Sequence, residues 1–197
     1  MLKKISLITV CAVSVFAMHN AEININDKDL EIGARLDMGQ FNDTTEPNTV
    51  FVGAKFLHGH EDHSDFDRNS IHDFSELNFM MQREIDASGL AIGLGVKLNH
   101  TENFTSIPLG IEASYKLPTG IVTPLYIGGS LYYAPEVLSL EDAKNFLEYR
   151  VNFDIEVIKN GRISLGYRSI DTNYDVNGNT NNVNYNRSAH LGFKFAF

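Results

Sequence analysis

Between Glu148 and Val157 the sequence alternates residue by residue. Tyr149, Val151, Phe153, Ile155 and Val157 fall on one side, and Glu148, Arg150, Asn152, Asp154 and Glu156 on the other. Successive side chains of an extended strand point to opposite faces, so this segment presents one oily and one ionic surface. A helical period would scatter both sets around a cylinder. The ionic face needs either water or mutual partners, because an isolated buried charge is costly.

The pattern recurs along the chain. Ile163, Leu165 and Tyr167 oppose Ser164, Gly166 and Arg168, after Lys159-Asn160-Gly161, a tight-hairpin signal. Leu30, Ile32, Ala34, Leu36 and Met38 oppose Glu31, Gly33, Arg35 and Asp37. Leu90 to Asn99, Ile107 to Leu117 and Leu125 to Tyr133 alternate likewise; Val50 to Phe56 is shorter and Phe74 to Glu84 is the least regular. The final segment sets Ala189, Leu191, Phe193, Phe195 and Phe197 against His190, Gly192, Lys194 and Ala196. With Glu22 to Asn26 as a short first strand, the reading is ten antiparallel strands, with eight as the fallback.

Connections alternate in length. Asp86 to Gly89, Pro118 to Gly120 and Lys159 to Gly161 read as short turns on one rim. His58 to Asp73, Asn99 to Thr105, Ala134 to Asn145 and Thr172 to Asn186 read as longer loops on the other, with a helical turn starting at Ser139. The stretch from Phe41 to Asn48 breaks the rule, being long on the short-turn rim.

The first residues read as an export leader: Lys3 and Lys4, an apolar run from Ile5 to Phe16, and small residues at a cleavage site after Ala17. This divides the chain into a signal peptide over 1–17 and a single domain over 18–197. Cys11, the one cysteine, falls inside the leader, so no disulfide framework is expected. The net charge of −9 argues against nucleic acid as a partner, which calls for a basic footprint. No cofactor motif is present; Gly93 and Gly95 flank Leu94 on a strand and do not form a phosphate loop.

Alternation does not say which face is outside. A lipocalin-like soluble barrel would turn its aliphatic residues inward around a small apolar ligand. Export, asymmetric loops, aliphatic runs of membrane-crossing length and a terminal Phe193, Phe195, Phe197 pattern favour the inverse arrangement, an up-and-down transmembrane β-barrel. Those three phenylalanines resemble the C-terminal signature read by barrel-insertion machinery. The inward face then holds Glu31, Arg35, Asp37, Lys97, Glu112, Lys116, Glu148, Arg150, Asp154, Glu156, Arg168 and Lys194. Their signs nearly balance, which predicts a lattice of ion pairs and a plugged or narrow lumen.

Two other chemistries are considered. His58, His60 and His63, with nearby carboxylates, carry metal-ligand atoms, although their spacing fits no closed structural site. His190 faces inward with Ser114, Ser130 and Ser164 on other strands, but no Ser-His pair turns toward lipid, so no catalytic residue is assigned.

Tyr132-Tyr133-Ala134-Pro135-Glu136, Glu148-Tyr149-Arg150, Ile163-Ser164-Leu165-Gly166-Tyr167-Arg168 and the terminal Phe197 resemble the YfaZ-like family of outer-membrane proteins. The resemblance covers residues 126–197. It implies an outer-membrane barrel, loosely grouped with porins and without an established activity, so it transfers no site residue. The expectation is a bacterial outer-membrane barrel with a structural or narrow porin-like role, in contact with outer-membrane lipid. A soluble periplasmic barrel for an apolar ligand and a metal-binding barrel are the alternatives.

Overall fold

The computed structural model describes residues 19–59, 73–85, 88–102, 104–120, 123–141, 143–176 and 179–197. The expected leader lies outside them, as do His60 and His63.

Alternation becomes ten long antiparallel strands that close on themselves. In chain order the strands are β1 (Asn20–Ile25), β2 (Asp29–Asp37), β3 (Val50–Gly59), β4 (Asp73–Ile85), β5 (Leu90–His100), the short β6 (Phe104–Ser106), β7 (Leu109–Leu117), β8 (Leu125–Ala134), the short β9 (Ser139–Glu141), β10 (Ala143–Ile158), β11 (Gly161–Val176) and β12 (Asn179–Ala196). Without β6 and β9, each strand pairs with its neighbours in sequence, and β1 pairs with β12 to complete the ring. Both strand termini lie on one rim, where His19 and Phe197 exchange two backbone hydrogen bonds of 3.0 and 2.9 Å. Ring closure leaves no sheet edge along the paired wall, the condition for a sheet to sit in hydrocarbon.

The oily face is outside. Ile32, Phe79, Leu94, Ile111, Leu131, Val151, Leu165 and Leu191 are all exposed, one from each of eight strands, and Ile23 and Val52 supply the other two. On β10 the outward series Val157, Ile155, Phe153, Val151, Tyr149 and Leu147 spans ten residue steps. At about 3.3 Å per residue and a tilt of about 40°, that series is about 25 Å tall, the apolar thickness of an outer membrane. The arrangement with leucines lining an inner ligand cavity is therefore not the one adopted.

Above this band the exterior turns polar. Beyond Tyr149 and Tyr167, whose rings lie 6.2 Å apart, the outer face of β11 continues as Asp171 and Asn173, with Ser169 buried against Asp171. Arg187 and Asn184 on β12 bond to Asp171 there. Amphipathic tyrosines at such a boundary place one end in lipid and the other in water.

Four connections differ from expectation. The segment from Thr172 to Asn186 is the upper part of the β11–β12 hairpin, not a loop: Thr172 pairs with Val183 and Asn173 with Asn182. Asparagine is a poor strand former, but here it is held in a side-chain ladder in which Asn182 donates to Asn173 (2.7 Å) and Asn173 to Asn145 (3.0 Å). The helical turn comes earlier than Ser139, as a 3-10 turn over Glu136–Leu138, and Ser139–Glu141 is extended because Phe104–Ser106 supplies its backbone partners. The tight turn after β10 uses Lys159 and Asn160, since Ile158 pairs with Gly161, and Asn160 takes the left-handed conformation (φ 64°).

The fourth is the long segment between β2 and β3. It is organised by Asp37, whose carboxylate accepts from the Gly39 N–H (3.0 Å) and the Asn48 N–H (2.7 Å). Asn48 in turn has φ 63°, reversing the chain into β3. Asp37 was expected in the lumen lattice; it caps this turn instead.

Candidate functional site

The lumen is layered, and the layers follow from where each inward residue falls along its strand. Nearest the terminal rim is an open polar vestibule of about 460 Å³. Arg35 on β2 crosses it to Glu112 on β7 with two hydrogen bonds, 2.7 and 2.8 Å. Tyr132 donates its hydroxyl to the same carboxylate (2.7 Å). Lys55 pairs with Glu22, and Lys194 reaches Asp154 at 3.0 Å, where Ser164 also donates (2.5 Å).

Above the vestibule an alternating chain of charges spans the bore. Glu76 on β4 contacts Lys97 on β5 (2.9 Å), which contacts Glu148 on β10 (2.7 Å). Glu148 accepts from Arg150, which reaches Glu31 on β2 (2.8 Å). Glu31 meets Arg168 on β11 (3.1 Å), and Arg168 meets Asp29 (3.1 Å). The side chains of Glu76, Lys97, Glu148, Glu31 and Arg168 are essentially inaccessible to solvent. Lys97 also sits 4.0 Å from the centre of the Tyr132 ring, a cation–π contact. Amides fill in: Asn24 donates to Glu31 (2.8 Å), Asn78 to Glu76 (2.9 Å) and Asn186 to Asp29 (2.7 Å). Each charge has an opposite neighbour, which is how an ionic face survives removal from water.

Over this belt, at the rim opposite the termini, lies an apolar cap. Phe74 and Phe146 lie early in β4 and β10, Leu57 lies near the end of β3, Ala134 ends β8, and Tyr185 lies in the first half of β12. Phe104 on β6 completes it, 5.1 Å from Tyr185 and 5.8 Å from Phe146 between ring centres. Ala143 and Ile170 fill the remaining gaps.

The belt and vestibule thus bring together Glu31, Arg35, Lys97, Glu112, Glu148, Arg150, Asp154, Arg168 and Lys194. Lys116 and Glu156 are corrections. Lys116 is exposed near the terminal rim and forms no ion pair among the described residues. Glu156 lies too near that rim for the belt; it accepts from the Tyr126 hydroxyl (3.0 Å), whose ring instead stacks beneath Arg162 (3.7 Å). Sequence reasoning omitted Glu22, Asp29 and Glu76 as members. Glu22 sits on a six-residue strand too short to show a period, Asp29 precedes the alternation that starts at Leu30, and Glu76 lies in the least regular segment. The signal available for Glu76 was its place between Phe74 and Asn78 on one face.

His58 faces outward and bonds to Asp73 across the β3–β4 pair (2.7 Å), both half-exposed. No cluster of three metal-ligating side chains occurs among the described residues. His190 Nδ1 has no hydrogen-bond partner, and Ser164 donates its hydroxyl to Asp154 rather than to His190. Phe193, Phe195 and Phe197 all face outward at the terminal rim, with the last two rings 6.2 Å apart.

The chain is a closed ten-stranded antiparallel β-barrel with its apolar face outward.

No protein-family model matches it, and no curated protein does. Two solved structures are similar in fold. One is a KdgM porin, 9% identical, covering 91% of this chain and 98% of that one with a TM-score of 0.45. The other is a KdgM porin in complex with disordered oligogalacturonate, 11% identical, with the same coverage and score.

Proposed function

We propose that this protein is a bacterial outer-membrane β-barrel with a structural or very narrow porin-like role. The single observation that carries this is the polarity of the ring, with leucine and isoleucine facing out over about 25 Å and a self-neutralising ionic interior. Only lipid makes that exterior favourable, since in water it would be a continuous apolar patch around the whole molecule. The termini and Phe193, Phe195 and Phe197 then face the periplasm, where insertion machinery would engage them, and the β11–β12 hairpin faces out of the cell. Kinship with the YfaZ-like family rests on the segments from Tyr132 to Phe197.

The test is in two steps. Refolded protein extracted in detergent should migrate faster on a gel unheated than boiled, as closed barrels do; solubility without detergent overturns the reading. Planar-bilayer recordings should then show small conductance or none. A steady step of general-porin size refutes the closed lumen.

A further inference from the structure

The lumen is blocked at two heights by two different physical means, and the outer block is carried on connecting segments. Resting on the membrane-barrel reading, we infer that the bore is closed by two seals in series, an apolar lid and an ion-pair belt, each sufficient alone to stop ions and water.

The lid is made by joining two far-rim connections. Phe104, Thr105 and Ser106 of β6 pair with Glu141, Leu140 and Ser139 of β9, so the β5–β7 and β8–β10 links are zipped into one small flap. The Ile107 N–H donates to Leu138 (2.8 Å), extending the zip. Thr101 closes the turn leading into β6 by exchanging hydrogen bonds with Phe104, and Tyr185 donates to the Thr101 hydroxyl (3.0 Å) from the opposite wall. The flap swings Phe104 over the mouth, where it is fully buried against Phe146 and Tyr185. A dry aromatic constriction blocks conduction by excluding water, without any charge.

The belt works by filling and pairing. The chain from Glu76 to Asp29 crosses from β4 to β2 through side chains that are almost wholly buried, Arg150 alone, at 12% exposure, showing part of its guanidinium to the vestibule. Between the two seals lies Asn99, fully buried, with neither its amide nitrogen nor its oxygen hydrogen-bonded. A side chain at this height is therefore reached by solvent from neither mouth.

The experiment reads conductance and thiol labelling on the refolded full chain, with Cys11→Ser as background. Removing the lid rings (Phe104→Ala with Phe146→Ala) leaves the belt, and removing a balanced pair from the belt (Glu148→Ala with Arg150→Ala) leaves the lid. Each double variant is expected to stay silent, and only the quadruple variant to show resolved steps, at least ten-fold above background. Steps from either double variant, or silence from a quadruple variant that keeps its heat-modifiable band, overturn the proposal. Labelling needs no weakened fold: Asn152→Cys in the vestibule should react with a charged methanethiosulfonate at least a hundred-fold faster than Asn99→Cys. Equal rates overturn the two-seal arrangement. A lost gel shift in the Cys11→Ser background itself would instead count against the barrel reading.

Discussion

Arg35 and Glu112 face each other across the bore, from β2 to β7, and lock through two parallel hydrogen bonds of 2.7 and 2.8 Å. The strands that carry them are separated around the ring by β3, β4 and β5 on one side. The pair therefore acts as a strut between distant parts of the wall, and its fork geometry is one that only arginine supplies.

Arg35→Ala should leave Glu112 facing the lumen with Tyr132 as its remaining donor. Loss of one partner of an enclosed pair costs about 3 kcal/mol, the low end for such breakages because the pair is about one-fifth exposed. The urea midpoint of the refolded barrel should fall accordingly. Arg35→Met with Glu112→Leu, which removes both charges, should recover most of the loss; a double variant as weak as the single one would show that the pair is not the source.

Tyr132 needs two glycines beside it, Gly95 and Gly110. A Cβ at Gly110 would overlap the Leu131 carbonyl oxygen and the Tyr132 ring, whereas one at Gly129 would meet only the Arg150 carbonyl oxygen at 3.3 Å. Gly110→Ala should destabilise by about 2 kcal/mol or more through overpacking, and Gly129→Ala by much less. The fraction of gel-shifted protein after refolding distinguishes them.

Leu94 stands at the middle of β5 and is 66% exposed on the outer face. Leu94→Lys should cost about 2–4 kcal/mol of folding into vesicles, as a cation at mid-membrane does. Asn182 is exposed on the outer side of β12 above the tyrosine boundary, opposite Asn173, and Asn182→Lys should cost less, by the same vesicle-folding measurement. Equal costs would remove the placement of the apolar band.

Asp37→Ala should weaken the long terminal-rim turn. Two backbone N–H groups lose a charged acceptor there, an expected loss of about 2 kcal/mol. Proteolysis between Phe41 and Asn48 should speed up while the rest of the barrel resists.

Wherever a strand alternates for four or more pairs, as in Leu30 to Asp37 or Tyr149 to Val157, the division of its residues between two faces was legible in the sequence, because it depends only on a local period. Which face turns outward needed the further signs of export and loop length, and β10 begins at Ala143, well before the alternation that marks it. Nine of the lattice residues were legible for the same reason: an inward charge on such a strand has nowhere else to go. The cap was not. Phe74, Phe104, Phe146 and Tyr185 come from four elements far apart in sequence, and nothing within any one segment shows that ring closure gathers them. The upper β11–β12 hairpin was hidden by its asparagines, whose strand conformation depends on cross-strand amide bonds. Asp37 looked like a lumen charge because it keeps the alternation of β2 to its last residue; its partners lie in the turn that follows.

The seam is short. β1 offers only six residues to β12, from Asn20 opposite Ala196 to Ile25 opposite Leu191, while the adjoining β11–β12 pairing runs more than twice as long. Joining the two ends of a sequence is the slowest kind of contact to form, because so much chain must be ordered first. The clasp of this bracelet shares its short span with the β1–β2 pairing beside it, and because it joins the two ends it is the last to fasten. Until it does, the half-built molecule is a curved ribbon with one greasy side and two bare margins, a shape that calls for an escort from synthesis to lipid.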